Sequence, residues 1–135
     1  MNVKSTRERE GMSTSSILIL FLSLITGVIH FLQDDPILKL NGVGYFLLAV
    51  GVVFRHKDMK DINEAAPKIL IVYAVTTIAM FFVLNGETAL EHRIGLATKA
   101  IEFLLIGVLL VHQRAMKRAA KQSWTAYSAK SKAIW

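Results

Sequence analysis

The chain has 135 residues, 53% of them hydrophobic, and its mean hydropathy is +0.45. This length gives room for one domain, and the composition is too apolar for a soluble domain of this size. The absence of cysteine excludes a disulfide framework, a thiolate nucleophile and a thiolate-bound metal.

The first two of four long apolar runs predict membrane-spanning helices over about residues 16–32 and 37–54. In the first, Gly27 lets a neighbouring helix approach closely, and His30 lies near the end of the run. In the second, Gly44 and Gly51 are seven residues apart and share one helix face, which predicts a packing contact. Tyr45 is expected at the membrane surface, where an aromatic ring with a polar tip is favoured.

The third apolar run predicts a span over about residues 69–84, after a polar loop over 55–68. Pro67 is expected in the first turn of this helix, where its missing N–H is not needed. Thr76 and Thr77 lie at the middle of the run, and their hydroxyl groups are its candidate polar contacts.

The fourth run, about residues 94–111, carries Lys99 and Glu102, which are three apart on one helix face. Each charge at mid-bilayer costs about 2.5–3.5 kcal/mol, which offsets most of the gain from the surrounding apolar residues. This helix therefore needs polar partners. A rise of about 1.5 Å per residue places His30 at a similar depth, so we expect an intramembrane polar cluster of Lys99, Glu102 and His30 with Thr76 or Thr77.

A basic tail over residues 113–135 follows, and its Ala-rich composition predicts that the fourth helix continues beyond the membrane. Its basic residues favour contact with anionic lipid headgroups over nucleic acid, and they include Arg114, Lys117, Arg118 and Lys121. Most Lys and Arg residues lie in the amino-terminal segment, the polar loop and the tail. The sequence thus predicts a single membrane domain, an all-α four-helix bundle with both termini in the cytoplasm.

The opposite, outer face collects side chains that are able to bind copper or zinc, namely His30, Asp34, Asp35, Glu87 and His92. They lack the spacing of metal ligands on one helix, so a metal site is the weaker interpretation. His56 and His112 are expected at the cytoplasmic ends of spans, against headgroups or backbone carbonyls.

The sequence contains no nucleophile–base pair, phosphate-binding loop or pair of catalytic carboxylates, so we do not expect an enzyme that acts alone. Three roles stay open for Lys99 and Glu102. We favour the fixing of helix register and subunit assembly, and the alternatives are a proton or cation path through Glu102 and the binding of a ligand or metal.

Two stretches, LITGVIHFLQDDPILKLNGVGYFLLAVGVV and IGLATKAIEFLLIGVLLV, resemble parts of small four-span archaeal membrane proteins. The shared features are Thr-Gly-Val-Ile-His at residues 26–30 and the pair Lys99 and Glu102. In size and helix number the chain is similar to the accessory X subunit of archaeal ammonia monooxygenase, a copper-dependent membrane complex. That resemblance implies a chain without a cofactor of its own, which packs against the subunits that hold the copper.

Overall fold

All regular structure is helical in a computed structural model that describes residues 13–54 and 60–132. The α-helices are α1 over Thr14–Phe31, α2 over Pro36–Val53, α3 over Lys60–Asn85 and α4 over Arg93–Lys132, and a short 3-10 helix over Gly86–Leu90 precedes α4. All four α-helices are long and apolar enough to cross a membrane. The predicted all-helical chain with four candidate membrane spans is therefore confirmed.

The first two helices begin at polar caps that the sequence supplies. The Ser13 hydroxyl accepts a hydrogen bond from the Ser16 backbone N–H at 3.2 Å. The Asp35 carboxylate accepts one from the Ile37 N–H at 2.7 Å, and Pro36 occupies the first helical position. Both caps satisfy N–H groups that have no partner inside the helix.

Helix α3 begins at Lys60, well before the predicted start of the third span at about residue 69. Pro67 therefore lies inside the helix, and its predicted place in the first turn is wrong. An interior proline removes one backbone hydrogen bond, but the preceding Ala65 and Ala66 favour helix and Ala66 is buried in the core. The rest of the predicted loop, residues 55–59 with His56, lies outside the described residues.

Each helix packs against two others: α1 contacts α2 and α4, and α3 contacts the same two helices. The core between them combines larger apolar side chains with small ones that let the helices approach, and it consists of Ile19, Tyr45, Val52, Ala66, Leu70, Ala74, Leu105 and Leu109. Many outward-facing apolar side chains are exposed, such as Leu32 at 77% and Val83 at 76%. That pattern is expected of helices that face lipid.

A close backbone contact joins α1 to α2 at a pair of glycines. A Cβ atom added to Gly42 would lie 2.5 Å from the Gly27 carbonyl oxygen, and one added to Gly27 would lie 3.0 Å from the Gly42 carbonyl oxygen, so a side chain at either position would crowd the facing backbone. Gly27 was predicted as a packing residue, whereas its partner Gly42 was not. Gly44 lies against the Tyr73 ring and Gly51 lies near Ala66, so both face α3.

Helix α4 has 40 residues and is therefore roughly 60 Å long, about twice the thickness of a hydrocarbon core. The predicted continuation of the fourth helix into the tail is confirmed as far as Lys132. The tail residues Arg114, Lys117, Arg118 and Lys121 are all exposed on this helix. Residues 133–135 lie outside the described part of the chain.

Candidate functional site

The site is centred on an ion pair within α4. Lys99 Nζ lies 2.8 Å from each carboxylate oxygen of Glu102, so the ammonium group donates to both. Glu102 is fully buried and Lys99 is 4% exposed. Their spacing of three residues along a helix brings the two side chains together on one face. Both groups lie inside a candidate membrane span, where an unpaired charge would be costly.

Helices α1 and α3 supply polar side chains to the same carboxylate, and α2 is linked to it through Thr77. His30 of α1 has its Nε2 atom 3.1 Å from Glu102 Oε1, and because a carboxylate only accepts, the imidazole N–H donates. Thr77 of α3 lies 3.2 Å from Glu102 Oε2 through its hydroxyl, and Tyr45 of α2 lies 2.7 Å from that hydroxyl. We call Lys99, Glu102, His30, Thr77 and Tyr45 the Glu102 cluster.

The direction of the hydrogen bonds through Thr77 follows from its single proton. Its Oγ1 atom is within hydrogen-bonding distance of the Ala74 carbonyl at 2.9 Å and of the Glu102 carboxylate, both of which only accept. The Thr77 proton is therefore shared between these acceptors, and the Tyr45 hydroxyl donates to Thr77. A chain of donors thus runs from α2 through α3 to the carboxylate on α4.

Aromatic rings make two contacts in the Glu102 cluster, one between two of its members and one with Phe81. The His30 and Tyr45 rings are stacked, with their centroids 6.0 Å apart. Phe81 of α3 lies over Lys99, with 5.6 Å between Nζ and the ring centroid, which is cation–π range. Phe81 reaches this position because Gly95, one turn before Lys99, has no side chain where the ring lies. The ammonium is thereby held against the protein and does not extend outward.

No protein-family profile, curated protein or solved structure matches this chain.

A second polar feature lies on the inner face of α1. The Ser23 and Thr26 hydroxyls and His30 Nδ1 are buried, and within the described residues they have no hydrogen-bond partner. Elsewhere in the helices, Thr76, Thr98 and Thr125 donate to the carbonyl four residues earlier. The Ser23 and Thr26 hydroxyls do not make this bond to the backbone. Each unpaired buried hydroxyl lowers the free energy of unfolding.

Further along α4 from Glu102, the side chains that face the interior are apolar. Leu105 and Leu109 follow Glu102 at intervals of three and four residues, and both are fully buried. Beyond them, His112 is 5% exposed, and its Nδ1 atom is hydrogen-bonded to Ser15 Oγ at 2.8 Å. His112 therefore contacts a side chain of α1, a partner that the sequence does not predict. The buried leucines separate it from the Glu102 cluster.

The candidate metal ligands of the outer face do not come together. In residues 13–54 and 60–132, no group of three His, Asp or Glu side chains is arranged to hold a metal ion. His30 points to Glu102, Asp35 caps α2, and Asp34, Glu87 and His92 are exposed. The set predicted from the topology is therefore not a metal site in this structure.

The structure brings together four of the predicted cluster residues, namely Lys99, Glu102, His30 and Thr77. Of the two threonines, Thr76 is exposed and donates to the Val72 carbonyl at 2.8 Å, away from the cluster. Tyr45 was expected at the membrane surface, and this prediction is wrong because its side chain is fully buried. The only hint in the sequence is the position of Tyr45 three residues after Gly42, on the face that meets α1.

Proposed function

We propose that this protein is a non-catalytic structural subunit of a larger membrane complex, and that its four helices form a membrane-spanning bundle held by the Glu102 cluster. The observation that supports this role is a hydrogen-bonded cluster to which all four helices contribute: side chains of α1, α3 and α4 meet at one buried carboxylate, and Tyr45 of α2 is linked to it through Thr77. Such a cluster defines the rotation and depth of every helix, because a different register would leave a charge without its partner.

The chemistry of the Glu102 cluster favours a structural role over turnover. The positive charge of Lys99 balances the negative charge of Glu102, and both carboxylate oxygens accept hydrogen bonds from within the chain. A carboxylate used as a base or nucleophile needs an approach for substrate, whereas Glu102 is fully buried. Leu105 and Leu109 next to it interrupt any polar path along α4.

We propose that both termini lie on the cytoplasmic side. Among the described residues, Arg114, Lys117, Arg118 and Lys121 lie on the tail of α4, whereas Lys39 and Arg93 lie near the opposite ends of the spans. The positive-inside rule assigns the more basic side to the cytoplasm.

The partner in this proposal is one or more other membrane subunits. Exposed apolar side chains such as Phe21, Leu47 and Val72 supply surface for such contacts as well as for lipid. The resemblance to small archaeal four-span proteins makes the copper-dependent ammonia monooxygenase the first complex to test. In that setting, the copper and the catalysis belong to the partner subunits.

Gentle solubilisation of native membranes followed by blue-native electrophoresis tests the proposal. We expect the tagged chain to migrate with other membrane subunits, and we expect Glu102→Gln to shift it out of that band because the amide cannot balance Lys99. Thr76→Val is the matched control, since the Thr76 hydroxyl bonds only its own helix among the contacts described. Migration of the wild-type chain as a monomer or a simple homo-oligomer would contradict the proposal.

A second candidate function is proton-coupled transport through Glu102, and the unpartnered polar stripe of α1 favours it. Ser23, Thr26 and His30 Nδ1 lie three to four residues apart on one helix face, next to the carboxylate. Flux into liposomes separates the two candidates. A carrier predicts that Glu102→Gln abolishes flux while assembly is kept, and the structural role predicts that assembly is lost.

A further inference from the structure

A groove that opens to the outside runs between the first turns of α1 and the middle of α4. It has a volume of about 690 Å³, and its lining is almost wholly apolar, with Ser15 at one end. Ala100 and Gly107 of α4 keep it open, and nothing lies within 4 Å of a Cβ atom added to Gly107. Leu18 of α1 and Phe103 of α4 form part of its sides.

The groove face of α4 continues directly into the basic face of the tail. Ala100, Gly107, Arg114 and Lys121 are each seven residues apart, and a helix of about 3.6 residues per turn places them in one line. Arg118 is one turn beyond Arg114 on the same face. These basic side chains are exposed, and no acidic residue follows Glu102 anywhere in the sequence.

An apolar groove that ends in a line of cations matches a molecule with an apolar tail and an anionic head. Arginine binds phosphate oxygens through paired N–H groups. The cations begin where α4 passes from apolar to basic sequence, which is where a headgroup layer is expected. Phe103 and Leu104 flank the Ala100–Gly107 line and are 59% and 62% exposed, so their side chains supply apolar walls for an acyl chain. A partner helix would have to bring its own acidic residues to meet the basic line, whereas an anionic phospholipid carries its phosphate with it.

We infer that the α1–α4 groove binds one acyl chain of an anionic phospholipid, whose phosphate is bound by Arg114 and Arg118. The site holds a particular lipid in place, which is more than the general attraction of a basic tail to the membrane. It does not depend on the role proposed for the Glu102 cluster, because none of the cluster residues lines the groove.

Native mass spectrometry of the full chain, released from nanodiscs of equal phosphatidylcholine and phosphatidylglycerol, tests this inference. We expect the wild-type chain to retain phosphatidylglycerol in preference to phosphatidylcholine. The double change Arg114→Gln and Arg118→Gln should lower that preference roughly thirtyfold, since each basic residue near an anionic surface contributes about a fivefold preference. Arg93→Gln, at the other end of α4, is the matched control and should leave the preference for phosphatidylglycerol unchanged.

Filling the groove separates a bound lipid from a general surface effect. Gly107→Leu should abolish the retention of both lipids, whereas Ala79→Leu, which adds the same bulk to an exposed position of α3, should not. Circular dichroism melting of each variant shows that the chain is folded. If Gly107→Leu is folded and still retains phosphatidylglycerol as the wild type does, the groove is not the site.

A photo-crosslinking residue at Leu104 identifies the occupant in native membranes. A lipid-sized increase in the mass of the chain supports the inference. Crosslinking to the helix of another protein, without a lipid adduct, would overturn it and assign the groove to a partner subunit.

Discussion

Breaking the ion pair of α4 is predicted to lower the free energy of unfolding by an amount that can be measured. Glu102→Leu leaves the buried Lys99 ammonium without its counter-charge, and breaking a buried pair in this way costs about 3–5 kcal/mol. Lys99→Leu leaves the Glu102 carboxylate with His30 and Thr77 but without its cation, and we expect a similar loss. Each single change is therefore predicted to destabilise the fold strongly.

The double change Lys99→Leu with Glu102→Leu removes both charges together. The double variant still loses about 1–3 kcal/mol, because His30 Nε2 is left without its hydrogen-bond partner. Thr77 adds no further loss, since it keeps its bond to the Ala74 carbonyl. The sum of the single losses is about 6–10 kcal/mol, so the two sites are predicted to be coupled by at least about 3 kcal/mol.

Reversible unfolding in mild detergent, followed by circular dichroism during titration with sodium dodecyl sulfate, measures the three free energies of unfolding. Glu91→Leu, just before α4, and Arg93→Leu, at its first residue, remove two exposed charges and form the control pair. Each should change stability by less than about 0.5 kcal/mol. A double variant that loses the full sum of the single losses would refute the idea that Lys99 and Glu102 stabilise each other.

Three further substitutions, two of them with a matched control variant, test individual contacts by thermal melting in the same detergent. Thr77→Val should cost about 1–3 kcal/mol because two polar partners lose their contact, while Thr76→Val should stay within about 0.5 kcal/mol; equal losses would contradict the geometry. Gly42→Ala should destabilise by about 1–3 kcal/mol, since its Cβ would meet the facing α1 carbonyl, whereas Gly51→Ala should be tolerated. Thr26→Val removes an unpaired buried hydroxyl and should raise the melting temperature; a lower one would show that this hydroxyl has a partner.

The sequence predicts the pair on α4 well, because a spacing of three residues fixes neighbours on a helix whatever surrounds them. It also places His30 near the pair, since counting about 1.5 Å per residue from each end of a span gives a depth. These arguments need only the geometry of one helix and the thickness of the bilayer. The same is true of the four spans, apart from the early start of α3.

The residues that the sequence does not predict all depend on how one helix is rotated against another. Thr76 and Thr77 are adjacent, so they point about 100° apart, and their order along the chain does not tell which faces inward. Tyr45 is suited to a membrane surface by its chemistry, yet the Thr77 hydroxyl and the His30 ring hold it inside. Pro67 shows the same limit. By itself, a proline is favoured in the first turn of a helix, but α3 extends beyond Pro67 because the neighbouring Ala66 is buried in the core.

The glycine contact and the Glu102 cluster are parts of one arrangement. His30 follows Gly27 by three residues on α1, and Tyr45 follows Gly42 by three residues on α2, so each ring lies on the face that the glycines bring together. The close approach of the two backbones is what lets the rings stack 6.0 Å apart beside the carboxylate.

Apolar packing alone selects a helix register weakly in a membrane, because lipid tails are as apolar as the helix surface. In the proposed role, the glycines set the distance between α1 and α2, whereas the Glu102 cluster selects the rotation and depth of all four helices. Loss of the glycine contact should therefore weaken the bond between His30 and Glu102 although neither residue is changed. In the proposed role, the charged pair on α4 is costly in the membrane, and the selection of one helix arrangement offsets part of that cost.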